Sequence, residues 1–355
     1  MKKVLIAMSG GVDSSVAAYL LQQQGYECIG VMMRLHDKLM AKQCPNKSVC
    51  GMDDVEDAKK VADKLGIPFY ALDFADEFEE QVIKRFVTAY ENGSTPNPCV
   101  DCNKHLKFGK LYEKAKELGC DFIATGHYVK KIYNEETGKY ELHTSEDNSK
   151  DQTYVLYSLT QEQLAHSLFP LSAYDKEQIR MIAQEQGLIN ANKKDSEDIC
   201  FIPDGDYASF LERYTGKTYE PGQFIHKDGA ILGEHKGIVR YTTGQRKGLG
   251  ISYIEPLYVL RKDLEKNTVT LGSNEDLFST SCTAKNVNWI TEEPEEPVVA
   301  QVCTRYHSKR VSAKITPADN NRIEVEFETP VRAVTAGQAL VIYDGTKVLG
   351  GGTIE

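Results

Sequence analysis

The chain has 355 residues, enough for two or three domains and at least one large buried core. Hydrophobic residues make up 41% and charged residues 26%, and a net charge of −10 excludes a wholly basic nucleic-acid coat while leaving room for a local basic surface. No stretch approaches the ~18 apolar residues of a membrane span, the run after Lys2-Lys3 is too short for a signal-peptide core, and an odd count of nine cysteines argues against a closed disulfide framework, so the expectation is a cytosolic protein with reduced thiols and no membrane partner.

Lys3 to Met8 reads as a buried strand, and Asp13 to Gln24 as a helix closed by Gly25. Between them lies SGGVDSS, Ser9 to Ser15. Gly10 and Gly11 let backbone amides approach an anion, the helix start adds partial positive charge, and Ser9, Ser14 and Ser15 add hydroxyl donors. The loop lacks the Lys-Ser/Thr ending of a Walker A motif, while Asp13 suits a Mg²⁺ that bridges phosphate oxygens. Cleavage between the α and β phosphates fits this better than γ-phosphoryl transfer.

Cys28 to Met33 is the next apolar run. Cys44 and Cys50 follow in a polar segment that reads as a loop with incidental thiols, a metal or redox pair being the alternative. Asp53 to Leu65 presents Val55, Ala58, Val61 and Leu65 on one helical face. Ile67 to Phe74 is strand-like, Phe78 to Tyr90 and Lys104 to Leu118 are helical, and Asp121 to Tyr128 is a strand entering a loop. Alternation of helices with strands apolar on both faces predicts an α/β fold with a parallel sheet covered on both sides.

Within this stretch, TPNPCVDCNKHLKFG (Thr95 to Gly109) places Cys102 near a helix start that Asn103 is expected to cap, with Lys104, His105 and Lys107 following. KKDSEDICFIPDGDY (Lys193 to Tyr207) places Cys200 in a loop after the helix Asp175 to Gln186, downstream of Lys193 and Lys194. Both settings predict thiols shifted towards thiolate. Cys99, Cys102 and Cys200 together also supply three corners of an iron–sulfur or metal site. Cys28, Cys120, Cys282 and Cys303 are expected to be packing residues.

The rhythm changes after about residue 205. From Gln223 onward, short β-rich runs broken by glycines predict one or two small antiparallel β domains, with Thr291 to Pro297 as an exposed turn near a domain edge. Arg305, Lys309, Arg310 and Lys314 form a basic stretch without an acid, and Tyr306 offers a ring for base stacking.

SGGVDS between a first strand and a helix resembles the PP-loop of the ATP pyrophosphatase superfamily. Together with EDAKKVADKLGIPFY, TPNPCVDCNKHLKFG, IATGHY, KDQTYVLYSLTQEQL, KKDSEDICFIP, YTTGQRKGLGI, RAVTAGQALVIYDG and LGGG, it makes the whole chain resemble the tRNA-specific 2-thiouridylases, the MnmA/TrmU family. The resemblance implies a parallel-sheet PP-loop ATPase domain at 1–205, a small central β-rich domain at 206–280 and a C-terminal tRNA-binding β-barrel at 281–355. It implies ATP and Mg²⁺ as cofactors, adenylation of the wobble uridine O2, and sulfur transfer from a persulfide on Cys200 with Cys102 as partner thiol, closing on a Cys102–Cys200 disulfide. Sulfur would come from a relay protein or a cysteine desulfurase, and the free protein would be a monomer.

By the same resemblance, Ala7, Met8, Ser9, Gly10, Gly11, Val12, Asp13, Ser14, Met33 and Gly126 contact ATP. His127 and Gln338 match family positions that contact tRNA, and Asn97, Pro98, Cys99, Lys150, Asp151 and Gln152, with Arg305 and Tyr306 of the basic stretch, are expected to contact it too. One departure is Cys99, where many family members carry an acid/base Asp. Asp101 stands two residues on, and the extra thiol opens the iron–sulfur alternative. A PP-loop synthetase acting on a small molecule is a second class, but no second α/β region is present for an ammonia-supplying glutaminase. A non-catalytic binder would have no need of the loop.

Overall fold

The computed structural model describes residues 1–35, 52–195 and 199–355; Cys44, Cys50 and the Ser196–Asp198 part of the Cys200 motif lie outside the described residues. Strands β1 (Lys3–Ala7), β2 (Glu27–Arg34), β3 (Phe69–Asp73), β4 (Phe122–Ala124) and a short β7 (Ser167–Leu168) form a parallel sheet in the order β3-β2-β1-β4-β7. Val4, Leu5 and Ile6 of β1 are fully buried, as a central parallel strand covered on both faces requires.

The helices are α1 (Val12–Gln23), α2 (Met52–Leu65), α3 (Ala75–Phe78), α4 (Lys84–Glu91), α5 (Pro98–Asp101), α6 (Leu111–Glu117), α7 (Gln161–Ala165) and α8 (Lys176–Glu185). Wide π-helical turns join α3 to α4 over Glu79–Ile83 and α5 to α6 over Cys102–Lys110. Such turns cost hydrogen-bond quality and recur at functional sites. Among the described residues no helix is long and apolar enough to cross a membrane.

An antiparallel hairpin, β5 (Val129–Asn134) and β6 (Lys139–Thr144), leaves this first domain between β4 and β7. It joins the sheet of the last domain, where β6 pairs with β17 (Lys347–Ile354) through His143↔Lys347 and Leu142↔Val348. Its polar alternation gave no hint of a partner more than two hundred positions away.

Helix α9 (Tyr207–Thr215) opens the central domain. Its Phe210 and Leu211 are fully buried in the core of the first domain, where Phe78, Phe86 and Phe201 surround them. The sheet that follows holds β8 (Gly222–His226), β9 (Ile231–His235), β10 (Tyr258–Asp263) and β11 (Thr268–Gly272) in the order β10-β11-β8-β9. The expectation of purely antiparallel pairing needs correction here. β11 runs parallel to β8, because the connection after β9 carries the chain back before the next hairpin.

The last domain comprises β12 (Phe278–Trp289), β13 (Val298–Cys303), β14 (Val311–Ala318), β15 (Arg322–Arg332), β16 (Ala339–Asp344) and β17. The order β12-β15-β14-β13-β16-β17, with β17 pairing back to β12, closes a six-stranded barrel. Val302, Ile315, Val325, Leu340 and Ile342 fill its interior. Closure removes the free edges of the barrel sheet. Thr291 to Pro297 connects β12 to β13 within the barrel, not at a domain edge as the sequence suggested.

Candidate functional site: a phosphate loop and a three-thiol recess

The loop after β1 lies at the carboxyl edge of the parallel sheet, where open α/β folds bind ligands. Gly10 has φ +74°, and a Cβ there would stand 2.6 Å from the Asp54 carbonyl oxygen of α2, so both conformation and space require glycine. Ser14 Oγ donates to Gly11 O at 3.1 Å and accepts from Ser9 N at 3.1 Å, and Ser15 Oγ donates to Gly11 O at 3.0 Å. Gly11 stands at the N-cap and offers no side chain to the first-turn amides of α1, which leaves them for an anion.

The ATP residues implied by resemblance distribute around this edge. Ala7 and Met8 end β1, and Met8 N donates to Val31 O at 2.7 Å. Val12 and Ser14 are buried in the first turn of α1, and Met33 is half-buried on β2. Gly126 follows β4, the neighbour of β1, and a Cβ on it would come within 2.9 Å of the Ser14 amide nitrogen. The start of α1 thus leaves no room for a side chain at Gly126.

Asp13 does not stand free. Tyr128 Oη donates to its Oδ1 at 2.6 Å, and Lys176 Nζ donates to both carboxylate oxygens at 2.8 Å. The loop lacks a lysine of its own, but α8 supplies one at its first turn. Lys176 also pairs with Asp195 at 2.8 Å, and Asp195 with Lys150 at 3.1 Å and Arg180 at 3.2 Å. Burial pushes the Asp195 carboxyl up, but the lysines outweigh it and hold the group below its ordinary value. Asn190, 3% exposed, donates to Gly10 O, Gly11 O and Ser15 Oγ at 3.1, 3.1 and 2.7 Å. Sequence reasoning missed Lys176, Asn190, Tyr128 and Asp195. Only their spacing in three dimensions, over up to 180 positions, reveals them.

The loop as built fits a nucleotide triphosphate: a glycine cradle, uncapped amides, hydroxyl donors and a lysine. It fits a Mg²⁺ ion through Asp13, provided the ion shares that carboxylate with Lys176 or displaces it.

The thiols assemble from two distant segments. Asn97 caps the helix that starts at Pro98, accepting from Cys99 N at 3.1 Å. The expected cap at Asn103 is not found. Asn103 lies one turn inside the helix, 1% exposed, and donates to Val155 O at 3.0 Å. A proline at the first helical position and an Asn before it form the stronger start signal. Cys102 is therefore buried within the helix, whereas Cys99 and Cys200 open to solvent. Phe201 anchors Cys200 from behind, 2% exposed and edge-to-face on Phe78 and Phe86 at 5.6 and 5.4 Å between ring centroids.

The three thiols lie close enough that Cys99 raises Cys102 and both raise Cys200, while Cys99 and Cys200 keep part of their surface in solvent. The expected shift towards thiolate is reversed. Burial pushes Cys102 up to about 11 and Cys200 up to about 12, and Cys99 also upward. Lys107 opposes the shift at all three thiols but does not overcome desolvation. Lys193 does not serve Cys200, since its ammonium bonds Asp54 and Asp57 at 2.6 and 2.7 Å.

The described cysteines are all free thiols. Among the described residues no group of three or more His, Cys, Asp or Glu side chains has the arrangement of a metal site, so the three thiols do not fit an iron–sulfur cluster as they stand. Asp101 is drawn to Arg85 at 3.2 Å and His105 at 3.8 Å. Cys28, Cys120 and Cys303 are buried and Cys282 partly so, as packing residues should be.

His127 links the two halves of the site. Its neighbour Gly126 touches the phosphate loop, and the His127 ring, 7% exposed, packs 6.0 Å from Phe108. Burial, then Lys107, pushes the imidazole well below its ordinary value, so it is neutral, with Nδ1 2.7 Å from Thr125 Oγ1.

The remaining tRNA candidates gather where the first domain meets the barrel. Gln338 Nε2 donates to Thr95 O at 2.7 Å and ties the barrel to the Asn97–Pro98 turn. A cavity of about 330 Å³ is lined by Asp151, Tyr154, Tyr306, His307, Arg310 and Tyr343, among others. Tyr306 is 39% exposed beside Tyr154, with ring centroids 5.8 Å apart. Gln152 bonds the Tyr128 backbone.

Arg305 is placed differently from a surface hook for phosphate. Its guanidinium turns inward to Thr243 O and Thr335 Oγ1 at 2.8 and 2.5 Å, joining central domain to barrel. Arg310 lies over the Tyr343 ring at 3.5 Å and donates to Gly345 O at 2.7 Å. Lys309 and Lys314 are the exposed cations of the stretch.

Residues 2–204 match the family model described as the tRNA methyl transferase HUP domain, residues 208–273 the tRNA methyl transferase PRC-barrel domain, and residues 279–354 the aminomethyltransferase beta-barrel domain. The tRNA-specific 2-thiouridylase MnmA of Clostridioides difficile (strain 630) is 50% identical over 355 residues, covering 100% of this chain and 98% of that one. Its counterpart in Clostridium acetobutylicum is 48% identical over 357 residues (100% and 99% covered), and that of Acetivibrio thermocellus is 47% identical over 361 residues (100% and 99%). A solved 4-thiouridine synthetase–RNA complex with bound ATP overlays at 19% identity and a TM-score of 0.36, covering 60% of this chain and 50% of that one, too weak a likeness to carry an argument. Matched along its whole length by these relatives, the chain belongs to the tRNA-specific 2-thiouridylase MnmA family.

Proposed function

We propose that the protein replaces O2 of the wobble uridine of tRNA with sulfur, using ATP and a persulfide on Cys200. The observation that carries this reading is the continuity of the site. Gly126 packs on the phosphate loop, His127 sits by Lys107, and Lys107 acts on the thiols at Cys99, Cys102 and Cys200. A base held along that line would face a phosphoryl donor on one side and sulfur on the other.

The uridine O2 attacks the α-phosphorus of ATP, and pyrophosphate leaves towards the first-turn amides of α1 and the serine hydroxyls. Asp13 would hold a Mg²⁺ ion, which would supply neutralisation of phosphate charge. O2 is a poor leaving group as an oxide and a good one as AMP. The outer sulfur of the Cys200 persulfide then attacks C2 and expels AMP. Cys102 gives up its proton and attacks Cys200 Sγ, the persulfide S–S bond breaks with its electron pair on the thiouridine sulfur, 2-thiouridine takes up a proton and is released, and a Cys102–Cys200 disulfide remains. Two equivalents of an external thiol reduce it, the first forming a mixed disulfide and the second releasing it.

The raised Cys200 thiol fits a resting carrier, and the raised Cys102 thiol must lose its proton before it attacks. At neutral pH both resting cysteines are protonated and poorly nucleophilic. The persulfide's outer sulfur ionises more readily than the thiol that carries it. The sulfur donor is a relay protein or a cysteine desulfurase, and the free protein is a monomer in this reading. The site acts on a base in cytoplasmic tRNA.

The test is reconstitution with unmodified tRNA, ATP, Mg²⁺ and a cysteine desulfurase. Nucleoside mass spectrometry should show 2-thiouridine, with one AMP and one pyrophosphate per base. Cys200→Ser and Cys102→Ser should each abolish thiolation while tRNA-dependent pyrophosphate release persists. ADP as the main product, or thiolation that survives Cys200→Ser, would overturn the reading.

A further inference from the structure

Lys176 sits in the middle of an alternating row of charges. On one side it donates to both oxygens of Asp13 in the phosphate loop, and on the other it meets Asp195 at 2.8 Å. Its side chain is only 12% exposed, so solvent screens neither contact strongly. Asp195 in turn holds Lys150, whose side chain is 40% exposed. Lys150 closes the short turn Asn148–Lys150, directly before Asp151 and Gln152.

One ammonium shared by two carboxylates responds to whatever changes either of them. Removing Lys150 from Asp195 takes one of three cations from that carboxylate and leaves it to Lys176 and to the half-buried Arg180 at 3.2 Å. Its attraction for Lys176 then rises, and Lys176 loosens from Asp13. A tRNA phosphate at the exposed Lys150 is such a competitor. A second connection reaches the same carboxylate. Gln152 Oε1 accepts from Tyr128 N at 2.9 Å, and Tyr128 Oη donates to Asp13 Oδ1 at 2.6 Å.

We propose that Lys176 is a positioning residue that occupies Asp13 in the free protein and yields it to the nucleotide when tRNA phosphate engages Lys150. The proposal rests on the nucleotide and tRNA reading above. The coupling is reciprocal, so nucleotide must tighten tRNA by the same factor that tRNA tightens nucleotide.

The experiment measures binding of α,β-methylene-ATP with Mg²⁺ by calorimetry, with and without unmodified tRNA. In the unaltered protein tRNA should tighten the analogue several-fold. Lys150→Ala should bind it several-fold more tightly without tRNA. Asp195→Asn leaves Lys176 wholly to Asp13, so it should bind more weakly and lose the response to tRNA. Lys150→Ala added to Lys176→Met should change nothing further. A folding defect would weaken binding in both single variants, so the opposed signs separate coupling from damage. Shifts of the same sign, or no shift in either variant, would overturn the proposal while leaving the nucleotide reading intact. An unaltered protein that binds no analogue at all would overturn that reading itself.

Discussion

At the residue scale the chemistry turns on desolvation set against a single lysine. Cys200 is pushed up to about 12 by burial, by Cys102 and by Cys99, and Lys107 is the cation that pulls it back. A thiol with a raised pKa is neutral below that value and gains reactivity as pH climbs towards it. The alkylation rate of Cys200 by iodoacetamide should therefore keep rising beyond pH 9, where an ordinary thiol levels off. Lys107→Ala should move the curve further up and slow alkylation at pH 8 several-fold. A plateau by pH 8 would show that the recess favours thiolate after all. Cys99→Asp should keep or raise thiolation in iron-free protein, because Cys99 is open to solvent and the persulfide route uses the other two thiols. Activity that falls together with bound iron in that variant would instead point to a cluster.

At the element scale the reactive cysteine is only as well placed as the aromatic cluster behind it. Phe201, adjacent to Cys200, shares a buried cluster with Phe78, Phe86 and Phe210, drawn from two domains. Phe201→Ala should cost about 3–5 kcal/mol of stability, read as a lowered denaturation midpoint, and should disable sulfur transfer before adenylation. Phe201→Leu should restore much of both. Asn190 plays the matching part for the phosphate loop, and Asn190→Ala should weaken nucleotide binding by removing the amide that ties Gly10 O, Gly11 O and Ser15 Oγ together. Equal nucleotide affinity in that variant would remove Asn190 from the site.

The elements also show what a sequence can and cannot disclose. The parallel sheet was legible because Val4 to Ile6 and their counterparts are apolar on both faces. The phosphate loop was legible because Gly10 occupies a backbone conformation and a gap that only glycine fits. The convergence of Cys99, Cys102 and Cys200 was expected from the Cys-x-x-Cys spacing as one alternative and from the resemblance, and their ionisation was misjudged. Lysines nearby in sequence suggested thiolate, whereas burial, which sequence does not report, wins. Lys176 was invisible for a similar reason, since nothing along the chain links it to Asp13.

At the scale of the whole molecule, the surface that would meet tRNA is narrower than the basic stretch suggested. Arg305 is spent on joining two domains. Arg305→Ala should therefore lower the denaturation midpoint more than it changes the salt dependence of tRNA binding. Lys309→Ala and Lys314→Ala should each weaken tRNA binding and flatten the plot of log affinity against log salt by about one unit. If the arginine variant flattens the plot and the lysine variants do not, the assignments are reversed.

The pairing of β6 with β17 has a consequence for how the protein is made. Hairpin β5–β6 emerges from the ribosome early, and the strand that completes its sheet is the last to appear. At ~5–20 residues per second the wait is roughly 10–40 s. Throughout it β6 presents an unpaired edge, and the barrel cannot shut because β17 is also its closing stave. Translation that stalls in the last domain would thus strand an otherwise finished first domain with an open β edge, a target for chaperones and proteases.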